Sequence, residues 1–417
     1  MHAAQRRYRA WELRSGFMRK NIATPLQKRY NYCDILQQTR LRHTMKKSEK
    51  KNKKRSRSVY IYILFSGAGL FLVSAALMLL AAGTDSFAQW YSVNIYPMLV
   101  TVIGRFMGMF PFSVAEICIY LLLAAFAVSL IYTVVKTVRR RNGKEALFRW
   151  FASVVLASGI LIFLYTAGCG INYYRRPFSQ TEGIVTFRYS ADDLEEICRW
   201  LTEEVNALSG SVSRDKNGVM ELDEPEGEGA VEAMEKLGKE FSSLEGFYPR
   251  PKKLAVSEVL SYQGLTGIYL PFTIEANYNG DMTAYNIPFT VCHELSHLRG
   301  FMEEREANFI AFLACIGSDR TDFQYSGYLS GWVYCMNALY RIDPERWAEV
   351  RSSLTETAEP DLGANNAFWD SYEGPVRETA EQINDTYLKV NGQADGVESY
   401  DRMVDLIVAY FGEKESP

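Results

Sequence analysis

Three long apolar runs constrain this 417-residue chain more than any other feature. Residues 59–82 (VYIYILFSGAGLFLVSAALMLLAA) and 150–169 (WFASVVLASGILIFLYTAGC) carry no charged side chain, and residues 114–135 carry one acid, Glu116, near their start. As a helix the first run is about 36 Å long, enough to cross a hydrocarbon layer of about 30 Å. Inside lipid no water meets the backbone, so a single run satisfies its N–H and C=O groups only as a helix. The expectation is three transmembrane helices at these positions. They divide the chain into a tail (1–58), a membrane domain (59–169) and a third region (170–417).

Charge then predicts orientation. Residues 1–58 hold 18 Lys and Arg against 3 acids. The connection between the second and third runs carries Lys136, Arg139, Arg140, Arg141, Lys144 and Arg149, whereas the connection between the first two carries only Arg105. By the positive-inside rule the amino terminus and the 136–149 loop are cytoplasmic, and everything after about Gly170 is extracytoplasmic, as in a multi-pass plasma (inner) membrane protein. The basic tail holds no recognisable nucleic-acid module, so contact with anionic lipid explains it and nucleic acid is not an expected partner. Met45 offers an alternative start to Met1, and no cleavable secretory signal is visible. Residues 86–112, rich in aromatics, fit either an interfacial or re-entrant segment or an amphipathic helix packed on the third region.

From residue 170 onward 21 basic residues face 43 acidic ones, a net charge of −22. Such a surface favours solubility and opposes contact with nucleic acid or anionic lipid. At about 245 residues the region is large enough for one domain with a full core. Cys169, Cys198, Cys292, Cys315 and Cys335 lack paired spacing, which argues against a disulfide framework. Helices are expected at 192–208 with Ser190 as cap, at 230–243, and at 322–340, 343–356, 361–391 and 398–412. An acidic, glycine-bearing loop is expected at 223–230, and short strands at 254–256 and 266–274. The fold class expected is α+β and mostly helical, with a small β-sheet.

Two of the four histidines lie in the tail, at His2 and His43; the other two share His293-Glu294-Leu295-Ser296-His297. Residues four apart on a helix share a face, so both imidazoles can reach one ion, with Glu294 beside them to take a proton from water. The string matches the HExxH pattern of zinc metallopeptidases. Pro288 suits the helix start and Gly300 a left-handed stop. Cys292 is turned roughly 100° away from His293 and reads as a buried, inert thiol. A catalytic zinc takes three protein ligands and keeps one open position. No histidine follows His297, so the third ligand is a carboxylate or a cysteine, and Glu303, Glu304 and Glu306 stand next in the chain. Glu303 fills the slot in which HExxHxxGxxH enzymes carry a histidine. Spacing leaves the choice among the three open.

The string Glu304-Arg305-Glu306-Ala307-Asn308 resembles the ExxAD and ExxAN motifs of glutamate-zincins, in which the first Glu is the ligand. That resemblance implies Glu304 as third ligand and Asn308 as the residue that orients a histidine ring. The wider chain resembles a family of bacterial membrane proteins classed as domain of unknown function 3810, regarded as zinc-peptidase-like. The matching strings are Phe-Pro-Phe-Ser (110–113), Gly-Ile-Asn-Tyr-Tyr-Arg (170–175), Gly-Ile-Tyr-Leu-Pro-Phe-Thr (267–273) and Glu-Ala-Asn (275–277). They continue through HELSH and EREAN to Tyr-Ser-Gly-Tyr-Leu (325–329) and Asn-Asp-Thr-Tyr-Leu-Lys (384–389). The resemblance covers roughly residues 59–412 and implies a membrane-anchored zincin fold without naming a substrate.

Taken with the motif, the expected activity is hydrolysis of a peptide or protein substrate outside the cytoplasm by one catalytic Zn2+, bound by His293, His297 and Glu304 and served by Glu294 as base. Zincins commonly pair an extended substrate with a strand upstream of the motif helix, and Gly267, Ile268 and Tyr269 are the candidates here. Tyr325, Tyr328, Asn384 and Tyr387 are candidates to stabilise an oxyanion, since no histidine is left for that role. The alternative is a non-catalytic, zinc-stabilised ectodomain that senses or binds a partner. A base at Glu294 has no use in such a site. An intramembrane protease fits poorly, because Arg299, Glu303, Glu304, Arg305 and Glu306 follow the motif too closely for lipid.

Overall fold

The structure is a computed structural model, and residues 25–139, 143–222, 226–391, 393 and 402–412 are described. Most of the basic tail's first half, the tip of the 136–149 loop, part of the 223–230 loop and the start of the last expected helix lie outside them. The chain divides into two compact units. One takes the described residues up to Ser66 together with Thr133–Val154; the other takes Gly67–Tyr132 and everything from Val155 onward.

Five helices build the first part of the chain: α1 (Pro25–Gly83), α2 (Asp85–Asn94), α3 (Tyr96–Met107), α4 (Val114–Arg139) and α5 (Gly143–Gly168). Three stretches, Arg57–Gly83, Val114–Arg139 and Gly143–Gly168, are long and apolar enough to cross a membrane. Within the first unit, Arg149 pairs with Glu145 at 2.5 Å and its guanidinium lies 5.3 Å from the centre of the Tyr60 ring.

The second unit carries the candidate site. After a 3-10 turn (Gly170–Tyr174) come α6 (Phe178–Thr181), α7 (Ala191–Ser209), α8 (Glu226–Glu240), α9 (Glu258–Gln263), α10 (Asn286–Leu298), α11 (Glu304–Ile316), α12 (Thr321–Ile342), α13 (Pro344–Arg351), α14 (Glu359–Asp370), α15 (Pro375–Val390) and α16 (Met403–Gly412). Three strands, β1 (Lys252–Lys253), β2 (Gly267–Leu270) and β3 (Glu275–Tyr278), form one sheet in the order β1-β3-β2. The β1–β3 pair is parallel and the β2–β3 pair antiparallel, with Gly267 opposite Tyr278 and Leu270 opposite Glu275. So β2 is an edge strand with β3 as its only strand neighbour among the described residues. The core packs α10 against α8, α11, α12 and the sheet, and α12 against α7.

Local chemistry explains several boundaries. Ser190 caps α7 in a reciprocal capping box with Asp193. Gly300 has φ +95°, a conformation that favours glycine, and it separates α10 from α11. Pro288 falls at the third position of α10, still in the first turn where its missing N–H costs nothing.

Other boundaries correct the sequence reading. The strand expected at 254–256 is at Lys252–Lys253 instead. The 266–274 strand stops at Leu270, and β3 follows as a separate strand. Residues 226–230, expected in a loop, open α8. The single helix expected over 361–391 is two, broken at Gly374 (φ +149°) and restarted by Pro375. Residues 86–112 form two helices, of which α3 packs on the site-bearing core through Tyr96, Val100 and Gly104.

Candidate metal centre

Every residue of α10 from Ile287 to Leu298 is buried, so the helix that carries the histidines is a core element rather than a surface one. Its carboxyl end is fixed from outside the helix. The Tyr96 hydroxyl donates to the Leu298 carbonyl at 3.0 Å, and Arg175 Nη1 donates to the Arg299 carbonyl at 3.1 Å. These are two of the last carbonyls that a helix leaves without an internal partner.

His293 and His297 face each other edge-on, with ring centres 4.5 Å apart. The turn at Gly300 brings in Glu304 as the first residue of α11. Glu304 Oε2 lies 3.2 Å from His293 Nε2 and 3.5 Å from His297 Nε2, and the three atoms all fall within 4.8 Å of one another. Glu304 Oε2 is buried and no hydrogen bond satisfies it. The far side of each ring is occupied: Asn308 Oδ1 accepts from His293 Nδ1 at 2.7 Å, and the Phe301 carbonyl accepts from His297 Nδ1 at 2.8 Å. Protons held at both Nδ1 atoms leave both Nε2 lone pairs free to bind a cation. Two imidazoles and an unsatisfied carboxylate oxygen converging in this way fit a divalent transition metal.

Electrostatics in the cluster follow from burial and from proximity. Burial, then the neighbouring His297, lower the pKa of His293. Burial acts the same way on His297, but the charge and hydrogen bonding of Glu304 outweigh it and raise its pKa to about 9. Burial raises that of Glu304, yet the two imidazoles outweigh it and hold the carboxyl at about 2. Burial pushes Glu294 up to about 8. Glu294 Oε2 is also buried without a hydrogen-bond partner. A carboxylate so placed is poised to hold and release a proton near neutral pH.

The neighbouring glutamates do other work. Glu303 supplies the backbone cap of α11 and its side chain accepts from Arg305 Nε at 3.1 Å. Glu306 is fully buried, where its two oxygens accept from the Ser179 N–H and Oγ, each at 2.8 Å. Glu306, one of the three candidate ligands, therefore belongs neither to the cluster nor to a solvated helix face: it ties α6 to α11. Cys292 is buried, as expected of an inert thiol.

Strand β2 lies against the base. A Cβ on Gly267 would stand 2.5 Å from Glu294 Oε1, so only glycine leaves that carboxylate its position. Cavities of about 560 Å³ and 300 Å³ flank this contact. Gly267, His293, Glu294 and Asn384 line both; Ile268, His297, Glu304 and Tyr387 line the smaller. Tyr269 lines the smaller cavity too, but its hydroxyl turns into the core, donating to the Gly168 carbonyl at 3.0 Å and meeting Tyr96 Oη at 2.9 Å.

Of the four oxyanion candidates, Asn384 and Tyr387 on α15 reach the cavities. Tyr325 instead donates to Asp361 Oδ2 at 2.5 Å, and Tyr328 packs on Trp200. Tyr173 and Tyr165, which belong to no catalytic motif, also line the smaller cavity, and Tyr173 donates to the Tyr387 hydroxyl at 3.0 Å. Their signal was present: Tyr173 and Arg175 lie in the 170–175 string, and Asn384 and Tyr387 in the 384–389 string.

No curated protein and no solved structure matches the chain. One family model does, described as protein of unknown function (DUF3810), and it matches residues 91–408. That span takes in α4, α5, the sheet and every residue of the His-His-Glu cluster, and the chain belongs to this family.

Proposed function

We propose that this protein is a membrane-anchored zinc metallopeptidase of glutamate-zincin type, which hydrolyses peptide bonds in an extracytoplasmic peptide or protein. The observation that carries the reading is the convergence of His293 Nε2, His297 Nε2 and Glu304 Oε2, with Glu294 beside them and its orphaned carboxylate against the edge strand. A zinc ion supplies Lewis acidity when bound, polarising a carbonyl and acidifying water.

The chain's own residues account for the rest. Asn308 and the Phe301 carbonyl hold the two imidazoles in the tautomer that offers Nε2. Glu294 takes a proton from the attacking water and delivers it to the leaving amine, a role suited to a carboxyl whose pKa burial has raised. The open edge of β2 pairs with an extended substrate backbone, and Gly267 keeps that strand close to Glu294 without displacing it. Asn384 or Tyr387 donates a hydrogen bond to the oxyanion. A purely structural zinc site gives no reason for an unsatisfied carboxylate on an open cavity wall, which favours this reading over a zinc-stabilised sensor. The orientation follows from the basic residues around the first and third spans.

The test compares the purified full-length protein with Glu294→Gln. Both should hold one zinc per chain by elemental analysis. Cells carrying the variant should accumulate extracytoplasmic peptides that the wild type cleaves, because an amide cannot accept the proton. Identical cleavage profiles in the two strains would remove the peptidase mechanism.

A further inference from the structure

A third cavity, of about 520 Å³, shares no lining residue with the two at the metal centre. Gln89 and Ser92 on α2, Ser242 and Gly246 on the segment after α8, and the side chains of Arg175 and Arg299 form its wall. Arg175 is 8% exposed and stacks on Phe301, its guanidinium carbon 3.7 Å from the ring centre. Arg299 donates through Nη2 to the Glu245 carbonyl. Gly246, at φ +148°, passes so close that a Cβ there would meet the Arg299 guanidinium.

The two guanidiniums are short of acceptors. Arg175 uses Nη1 on the Arg299 carbonyl, and Nε of each arginine is buried without a partner. The acceptors that Arg175 and Arg299 do meet are the backbone carbonyls of Arg299 and Glu245, not carboxylates, although Glu245 is among the residues that line the cavity. Burial, then the Arg299 charge, lower the pKa of Arg175 to about 10, so Arg175 remains cationic at neutral pH. Two neighbouring cations set in protein without a counter-charge are costly, and the cost disappears when an anion joins them. The planar forks with free N–H groups match the oxygens of a phosphate.

We propose that this cavity binds a phosphate group, held between Arg175 and Arg299. The volume exceeds that of a bare phosphate, leaving room for a phosphodiester with its glycerol. Its α2 wall begins at Asp85, two residues after the span that ends at Gly83, which puts the site within reach of lipid headgroups. Because Arg175 also caps the helix that carries His293 and His297, occupancy should stabilise the site-bearing unit.

The experiment melts the full-length protein, freed of lipid in a nonionic detergent, during titration with inorganic phosphate and separately with a short-chain phosphatidylglycerol, at constant ionic strength. At least one should raise the wild-type Tm saturably by a few degrees. A rise with the lipid alone identifies the headgroup as ligand, and a rise with inorganic phosphate alone identifies a soluble anion. Arg299→Gln should abolish the rise. Ser242→Glu, which places a carboxylate on an exposed part of the wall, should abolish it too and serves if Arg299→Gln fails to fold. No saturable rise with either ligand, or a rise that survives in the folded variants, overturns the proposal.

Discussion

Glu304 is one of three glutamates within four positions, and their surroundings differ enough to separate them by mutation. Only Glu304 meets the two Nε2 atoms, so on the zinc reading Glu304→Ala should lose stoichiometric metal. Glu303→Ala should keep it and change stability little, because the side chain is part-exposed and the cap it gives α11 is made by backbone. Glu306→Ala should keep the metal too, but leaving the buried Ser179 N–H without an acceptor should cost about 1–3 kcal/mol. Elemental analysis and chemical denaturation of the three variants check this, and metal loss in Glu303→Ala with retention in Glu304→Ala would reverse the assignment. Gly267 offers a test of the base that leaves every ligand in place. A Cβ there displaces Glu294, and a misplacement near 1 Å can cost on the order of 10²-fold in rate. Gly267→Ala should therefore retain zinc while peptide cleavage falls by about that factor, and a variant with wild-type cleavage would show that Glu294 does not need this close contact.

At the scale of elements, the sheet and the second apolar helix hold each other by exchanged caps. Glu275 on β3 accepts from the first amides of α4, Ala115 N at 2.7 Å and Val114 N at 3.2 Å, and pairs with buried Lys252 on β1. In return Glu116 on α4 accepts from Ala255 N at 2.8 Å and Val256 N at 3.0 Å. An acid near the start of an apolar run thus serves as a staple rather than a blemish in a span. Glu275→Ala strands the Lys252 charge and uncaps α4, which should cost about 3–5 kcal/mol. Replacing both partners, as Lys252→Met with Glu275→Leu, should recover part of that loss in thermal melts of the full-length protein. The same contacts explain what sequence could and could not reveal. The spans and the motif helix follow from local composition, since lipid demands a long apolar run and only two histidines stand outside the tail. Strand β3 is hard to read because the alternation of Glu275-Ala276-Asn277-Tyr278 spans only four residues and suggests a half-exposed strand, whereas all four residues are buried. Strand β1 is misplaced by the apolar Leu254-Ala255-Val256, whereas the true strand buries a lysine that Glu275 and the Met107 carbonyl make tolerable. Nothing in the local sequence separates Glu306 from its neighbours, because Ser179, whose hydroxyl donates to it, lies 127 positions away.

At the scale of the whole molecule, charge is divided along the chain as unevenly as hydrophobicity. The tail and the 136–149 loop are strongly basic, the region after Gly170 carries a net −22, and the three apolar helices lie among them. Basic segments resist export and their placement sets the direction of insertion. On the positive-inside rule, three crossings put the two ends of the chain on opposite sides, and we predict that the His-His-Glu cluster lies on the extracytoplasmic one. The prediction can be tested with the intact membrane segments. A reporter active only in the cytoplasm, fused after Arg141, should be active, and the same reporter fused after Arg176 should be silent, while one active only after export should give the reverse pattern. The two fusion points differ by the third span alone, so equal readings at both would mean that residues 143–168 do not cross, and the cluster would then share a side with the 136–149 loop.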